Sequence, residues 1–329
     1  MTRFGYTLMT EQSGPRELVR YAVAADRIGF DFEASSDHYF PWLEAQGHSP
    51  HAWSVLGAVA HATHDVELMT YVTCPTMRYQ PPVVAQMAAT LAVLSEGRFL
   101  LGLGAGENLN EHVVGQRWPM VGERHDMLEE ALGIVHKLLA GERVTFEGTH
   151  FRVDSAQLWD LPDARVQIGI AVSGEQAVAR FAPVADHLVA TAPDPDLVRR
   201  WSTTRRSMGL PVSRTLGQIP ISWDRDRDAA ITRAYEQFRW FGGGWKVNAD
   251  LPTPQAFEAA TQFVRPEDVA RAIPCGPDLD AIVAAVAPYW EAGFTDIALV
   301  QVGDEKQQEF LDLAAGPLLD LLRAAAPAD

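Results

Sequence analysis

One rhythm constrains this chain more than any other feature. Short, nearly uninterrupted apolar runs return roughly every 30 to 35 residues, and amphipathic stretches fill the intervals. Residues 3–8 read as a first strand. Pro15 then opens a helix, Leu18, Ala22, Ala25 and Ile28 recur at helical spacing, and Gly29 closes it before a second strand over residues 30–35. Helices over 51–64 and 82–95 lead into strands over 67–72 and 99–104. The second half is less regular, with strands over 166–171, 187–190, 215–222 and 296–300 and helices over 174–181, 225–241, 278–292 and 305–325. Runs such as Phe99-Leu100-Leu101-Gly102-Leu103-Gly104 show no polar alternation. A strand can carry that pattern only when both faces of its sheet are covered, as in parallel sheets. Eight alternating units predict an α/β fold, a (β/α)8 TIM barrel with loop insertions at the C-terminal face, as a single domain over residues 1–329. A doubly wound open sheet is the alternative, and it normally needs fewer strands.

Three stretches exceed a plain strand-helix unit, at about residues 105–121, 143–160 and 242–263. The first reads as a long strand-to-helix loop. In the second, Val144-Thr145-Phe146 and Phe151-Arg152-Val153 alternate around Glu147-Gly148, which predicts a β-hairpin. The third joins Gly242-Gly243-Gly244 to aromatic and acidic residues. All three are expected at one end of the barrel, where long loops build a site or its lid.

A net charge of -16 argues against a nucleic-acid surface and against an anionic membrane. No run of about 18 apolar residues exists to span a bilayer. Residues 1–6 lead into the first strand without a basic, apolar leader, so a cytoplasmic protein is expected. Cys74 and Cys275 are too few and too distant for a disulfide framework. His48 and His51, and likewise His61 and His64, have no Cys or carboxylate at ligand spacing, so no metal is expected.

Barrels of this type carry their chemistry at the C-terminal strand ends. Just past the second strand, Ser36-Asp37-His38-Tyr39-Phe40-Pro41-Trp42 crowds an acid, an imidazole and an indole donor together, a place to move a proton beside a flat ring. Taken alone, these residues better suit a capped turn, a surface histidine and a core tryptophan. Thr73-Cys74-Pro75-Thr76, Ala105-Gly106-Glu107-Asn108 and Val172-Ser173-Gly174 follow the third, fourth and fifth strands. Glu107 comes after Gly104-Ala105-Gly106, a backbone without bulk over which a ring can lie; alternatively its carboxylate complements a helix dipole. Ser173-Gly174 at a helix start offers N–H groups to a phosphate. There is no Gly-x-Ser-x-Gly elbow, and Gly102-Leu103-Gly104-Ala105-Gly106 lacks dinucleotide spacing.

Ser36-Asp37-His38 with Trp42, then Thr76-x-Arg78-Tyr79 with Pro81 and Gln86, then Gly104-Ala105-Gly106-Glu107-Asn108-Leu109-Asn110-Glu111 occur in this order. Together, over residues 4–310, they resemble the luciferase-like flavin/deazaflavin superfamily, and within it the coenzyme F420-dependent glucose-6-phosphate dehydrogenase group. The resemblance implies a homodimer whose barrel holds F420 with its deazaflavin ring over the strand ends. It also implies that His38 takes the proton of a substrate hydroxyl as hydride passes from that carbon to C5 of the ring. Trp42 would then steady the developing oxyanion, Glu107 would be the acid beside the ring, and Asp37 would help hold the cofactor. Such chemistry suits a neutral imidazole of pKa about 6.5 and a carboxyl kept protonated by burial. By the same resemblance the bond from Tyr71 to Val72 is a non-proline cis peptide behind the ring, Cys74 and Asn108 flank the cofactor, and Ala171, Val172, Ser173 and Gly174 meet its phosphate. The acidic tail of F420 calls for a local basic patch, for which Arg78 is one candidate.

The chain departs from that group after the sixth strand, where lysine and threonine grip the sugar phosphate. Here the stretch is Thr191-Ala192-Pro193-Asp194-Pro195-Asp196, and each acid would repel a phosphate dianion by roughly a kcal/mol or more at close range. Glucose 6-phosphate is therefore not the expected substrate. Thr191 remains a substrate candidate, with Trp240 and Trp245 suggesting a larger, less polar alcohol or sugar and Lys246 the one cation for an anionic group. The aromatics equally suit core packing. The expected function is an F420-dependent dehydrogenase or reductase acting on CH-OH groups. The alternatives are an FMN-dependent luciferase-like monooxygenase and a cofactor-binding protein without turnover.

Overall fold

The strands are β1 (Arg3–Leu8), β2 (Phe32–Ser35), β3 (Glu67–Thr70), β4 (Phe99–Leu103), β5 (Val144–Glu147), β6 (Arg152–Ala156), β7 (Gln167–Ala171), β8 (His187–Val189), β9 (Thr215–Ile221) and β10 (Asp296–Gln301). Eight of them close into a parallel barrel in the order β1-β10-β9-β8-β7-β4-β3-β2, which excludes the open sheet. The structure is a computed structural model that describes residues 2–327; residues 1, 328 and 329 of the expected domain lie outside the described residues. Around the barrel run α1 (Pro15–Ile28), α2 (Ala52–Ala62), α3 (Pro81–Leu94), α4 (Asn108–Glu111), α5 (Val121–Leu139), α6 (Glu175–Phe181), α7 (Pro195–Ser207) and α8 (Arg227–Phe238). The remainder are α9 (Trp245–Asn248), α10 (Pro254–Ala260), α11 (Pro266–Ala272), α12 (Leu279–Ala292), α13 (Asp304–Phe310) and α14 (Gly316–Ala325).

The apolar strands divide their side chains between two layers. Phe32, Ala34, Met69, Leu100, Val189, Leu216 and Ala298 fill the barrel interior, while Phe4, Tyr6, Leu68, Leu101, Leu103 and Ile168 pack outward against the helices. A side chain as large as Phe32 contributes about 1.5–3 kcal/mol by leaving water. It fits because Gly5 stands beside it: a Cβ there would lie 2.5 Å from the Phe32 ring. At the N-terminal mouth the first residues of β1, β3 and β10, with Arg214 just before β9, form a cluster of two cations and two anions. Arg214 meets Glu67 at 2.8 Å and Asp296 at 2.6 Å, and Arg3 meets Asp296 at 3.2 Å. That plug leaves the C-terminal mouth for ligands.

Several expectations need correction. The hairpin β5–β6 is present, but it follows α5 rather than a strand, so it belongs to the N-terminal rim and not to the C-terminal face. It lies along α5, where the Glu130 carboxylate accepts the N–H groups of Thr149, His150 and Phe151. Residues 105–121 are not a plain loop, because α4 and a 3-10 turn over His112–Val114 occupy their middle. The glycine run begins inside a 3-10 turn, Arg239–Gly243, and its far side contains α9 and α10. The helix expected over 305–325 is interrupted by a π-turn at Leu311–Ala315. Helix α7 was not expected, because the two acids that mark residues 194–196 as repulsive are also its start: Asp194 accepts the N–H groups of Asp196 and Leu197.

No helix is long and apolar enough to cross a membrane, and no group of three His, Cys, Asp or Glu able to hold a metal occurs among the described residues.

Candidate functional site

β2 delivers Ser35 to the C-terminal rim, and the next three residues enter a buried polar cluster. His38 is 7 % exposed and sits between two carboxylates, with Nδ1 3.4 Å from Glu11 Oε1 and Nε2 3.6 Å from Glu107 Oε1. Nδ1 also lies 3.1 Å from the Phe40 carbonyl. Burial alone would lower the pKa of this imidazole, but Glu11, then Glu107 and the Phe40 carbonyl, more than reverse that and push it up to about 9. The two carboxylates thus favour the charged imidazolium over the neutral imidazole that alcohol oxidation calls for. Sequence reading missed Glu11, which comes from the loop after β1 and is fully engaged. It accepts from Ser36 Oγ and, at 3.0 Å, from Trp42 Nε1.

Trp42 therefore does not offer its indole N–H to a substrate in this arrangement. Its ring lies 4.8 Å from His38, stacks on Trp240 at 4.0 Å and 10°, and meets Phe257 edge-on at 5.1 Å. Trp240 in turn directs Nε1 to the Gln237 carbonyl at 3.2 Å. The result is an aromatic wall beside the imidazole with both donors turned away.

A second cluster braces three strand ends. The Arg78 guanidinium donates to the Asp37 carbonyl at 2.8 Å and to its carboxylate at 3.0 Å, and its Nε lies 3.5 Å from Glu111. Thr73 Oγ1 donates to the other Asp37 oxygen at 2.7 Å. Burial pushes the Glu111 carboxyl up to about 7, with Arg78 opposing the rise and Asp37 and Glu107 adding to it. Arg78 is thus not an available cation for an acidic tail, and both Asp37 oxygens are already accepting protein donors. The brace instead locks the loop of His38 to the loop of Glu107. Asn110 adds to it by accepting the N–H groups of Tyr39 at 2.8 Å and Phe40 at 3.3 Å.

The glycines after β4 open space for their neighbours. A Cβ on Gly104 would lie 2.6 Å from Val72, and one on Gly106, whose φ is +78°, would lie 2.6 Å from the Cys74 sulfur. The bond between Tyr71 and Val72 is cis. Tyr71 reaches across to the Ala190 carbonyl at 3.0 Å, and Cys74 is buried with its sulfur 3.1 Å from the Thr76 hydroxyl. Tyr71, Val72 and Ala171 pack against the interior cluster, so together they floor the mouth of the barrel. One buried oxygen of Glu107, Oε2, has no partner. A buried acceptor without a partner is uncommon and calls for an explanation, and this carboxylate lies 3.6 Å from the His38 imidazole.

Residues 1–296 match the luciferase-like monooxygenase family. The chain belongs to that family. An F420-dependent glucose-6-phosphate dehydrogenase of Microbacterium testaceum is 34% identical over 98% of this chain and 97% of its own length. One from Nakamurella multipartita is 36% identical over the same shares. Among solved structures, an F420-dependent secondary alcohol dehydrogenase in complex with an F420-acetone adduct superposes with a TM-score of 0.86 at 28% identity, over 96% of this chain and 98% of that one.

In this luciferase-like barrel the other expected residues scatter. Val172 is buried, and Ser173 and Gly174 are exposed ahead of α6, with no side chain capping it. Thr191 is exposed, and its carbonyl takes the Tyr289 hydroxyl at 2.8 Å. Asn108 turns to the neighbouring loop, its N–H on the Ala249 carbonyl at 2.9 Å and its amide on the Asp250 carbonyl at 3.0 Å. Trp245 is 44% exposed and Lys246 is exposed beside it, so neither is brought to His38 by packing. Glu11 drew no reading from the sequence, although it lies in a polar run, Thr10-Glu11-Gln12-Ser13, just past the first strand, and Glu111 figured only as the end of the motif after the fourth strand.

Proposed function

We propose that this protein is an F420-dependent oxidoreductase that transfers a hydride between a hydroxyl-bearing carbon and the deazaflavin C5. The observation that carries the reading is the bracketed His38 at the mouth of the barrel, facing a Glu107 whose second oxygen is buried and unmatched. The residues fit such a cofactor: a floor of Tyr71, Val72 and Ala171, glycines that let the floor lie flat, and exposed N–H groups at Ser173 and Gly174 for a phosphate. When bound, F420 supplies the hydride acceptor or donor.

The chain's own residues handle the proton. In the direction of carbonyl reduction, His38 is already charged at neutral pH and donates to the carbonyl oxygen. In alcohol oxidation it must first lose that proton, so the rate in this direction rises with pH through about 9. Glu107, whose Oε2 has no protein partner, would be the second proton-handling group, and Glu11 fixes the His38 ring from behind. Trp42 serves as a wall, and it can steady an oxyanion only if its N–H leaves Glu11. Glucose 6-phosphate fits poorly. The start of α7 is already capped by Asp194, Asp196 is paired with Arg199 at 2.5 Å, and Arg78 is enclosed by Asp37 and Glu111. An uncharged alcohol or sugar is the better substrate, since Lys246, the cation expected for an anionic group, is exposed and is not packed against the site.

The test is direct. Purified protein is titrated with F420 and then with FMN, and a panel of free alcohols, ketones, sugars and sugar phosphates is scored by the change in F420 absorbance. Binding of F420 with turnover of an uncharged alcohol or carbonyl is the expected result. Preference for FMN, with oxygen-dependent turnover, would instead make the protein a monooxygenase, and F420 binding without turnover of any substrate would leave a carrier.

A further inference from the structure

The segment from Trp240 to Asp250 joins the two walls of the site. At its start Trp240 lies flat on Trp42, next to His38. At its end the carbonyls of Ala249 and Asp250 hold the backbone and side chain of Asn108, the residue after Glu107. Between these anchors Gly242, Gly243 and Gly244 are exposed, while Asn248 is buried and donates to the Trp240 carbonyl at 3.3 Å, closing the segment on itself. Besides the backbone turn of Trp245–Asp250, the far anchor is docked by one carboxylate. Asp250 Oδ1 accepts from Trp118 Nε1 at 2.8 Å and from Arg124 at 3.2 Å, and the Arg124 guanidinium lies 4.3 Å over the Trp118 ring. The Arg124 side chain is only 8% exposed and also donates to the Pro119 carbonyl at 3.1 Å, so this clasp has a rigid base on α5.

Asp250 caps no helix; Thr253 caps the next one. Its side chain has one organised task, which is to dock residues 249–250 where they grip Asn108. We propose that Asp250 is a positioning residue for the reaction, holding Glu107 against His38 by way of Asn108. The proposal rests on the function assigned above for turnover, but its geometry can be tested without cofactor.

The groups that face His38 are Glu11 from the β1 loop, Glu107 from the β4 loop and the Phe40 carbonyl of its own loop, so displacing Glu107 removes one of two anionic neighbours. In the cofactor-free protein, the His38 titration followed by NMR should therefore fall by about one pH unit in Asp250→Ala. Asp250→Asn keeps an acceptor for Trp118 and should restore most of the wild-type midpoint. With F420 and an accepted alcohol, Asp250→Ala should lower kcat by roughly tenfold to a hundredfold, as expected when a reacting group is misplaced by about 1 Å. If Asp250→Ala does not fold, Trp118→Phe, which removes a single donor, should give a smaller shift in the same direction. A purely structural residue would lower the melting temperature and leave the His38 midpoint in place, and that result overturns the proposal. A shifted midpoint in a protein that turns over nothing would support the positioning and refute the assigned function.

Discussion

Replacing Glu11 by Gln removes the charge behind His38 while keeping an oxygen for Trp42 Nε1. At 3.4 Å and an effective dielectric of about 20, the attraction lost is on the order of 4 to 5 kcal/mol. The rise of His38 from 6.5 to about 9 corresponds to roughly 3 kcal/mol net, because burial opposes the carboxylates. With one carboxylate gone, burial regains ground, and the titration should drop by about two units or more, to near 7 or below. The folded pKa in the wild type lies above the unfolded one. The stability it contributes is therefore complete below about pH 6.5 and disappears as pH rises through about 9. Glu11→Gln should flatten that part of the stability curve and move the rise of alcohol oxidation to lower pH. NMR titration of His38, assigned by loss of its signal in His38→Asn, measures the midpoint, and denaturation midpoints at pH 6 and pH 9.5 measure the slope. A midpoint that stays above 8 in Glu11→Gln would refute the view that the two carboxylates govern this imidazole.

Three further outcomes follow from the packing. Arg78→Met leaves Asp37 and Glu111 facing each other in a buried site and should cost about 3–5 kcal/mol near pH 8. The cost should shrink toward pH 5, where Glu111, with a folded pKa raised to about 7, is neutral; equal losses at both pH values in urea denaturation would contradict this. Gly106→Ala adds a Cβ at φ +78° and 2.6 Å from the Cys74 sulfur, so it should destabilise by about 1–3 kcal/mol and weaken F420 binding, read by calorimetry and by cofactor titration. Glu33 is buried with neither oxygen partnered, and burial, aided by Asp26, holds its pKa well up. Since a raised carboxyl pKa destabilises the fold as pH climbs above the ordinary value, Glu33→Leu should raise the melting temperature at pH 8 more than at pH 5; a fall at pH 8 would count against it.

The barrel was legible in the sequence because strand and helix periodicities are local, and doubly covered strands leave a continuous apolar signature that no open surface tolerates. The motif order was equally legible and identified the family, since Asp37, His38, Trp42 and Glu107 each sit at a fixed offset from a strand end. What the sequence could not supply was everything that depends on how separate loops meet. The hairpin faced the other rim because it followed a helix. Arg78 looked like a free cation until two carboxylates from other loops were found enclosing it. His38 looked neutral until Glu11, 27 positions upstream, appeared 3.4 Å from its ring. Charge state is set by distance and burial, and both are properties of the closed barrel that no single stretch of chain contains.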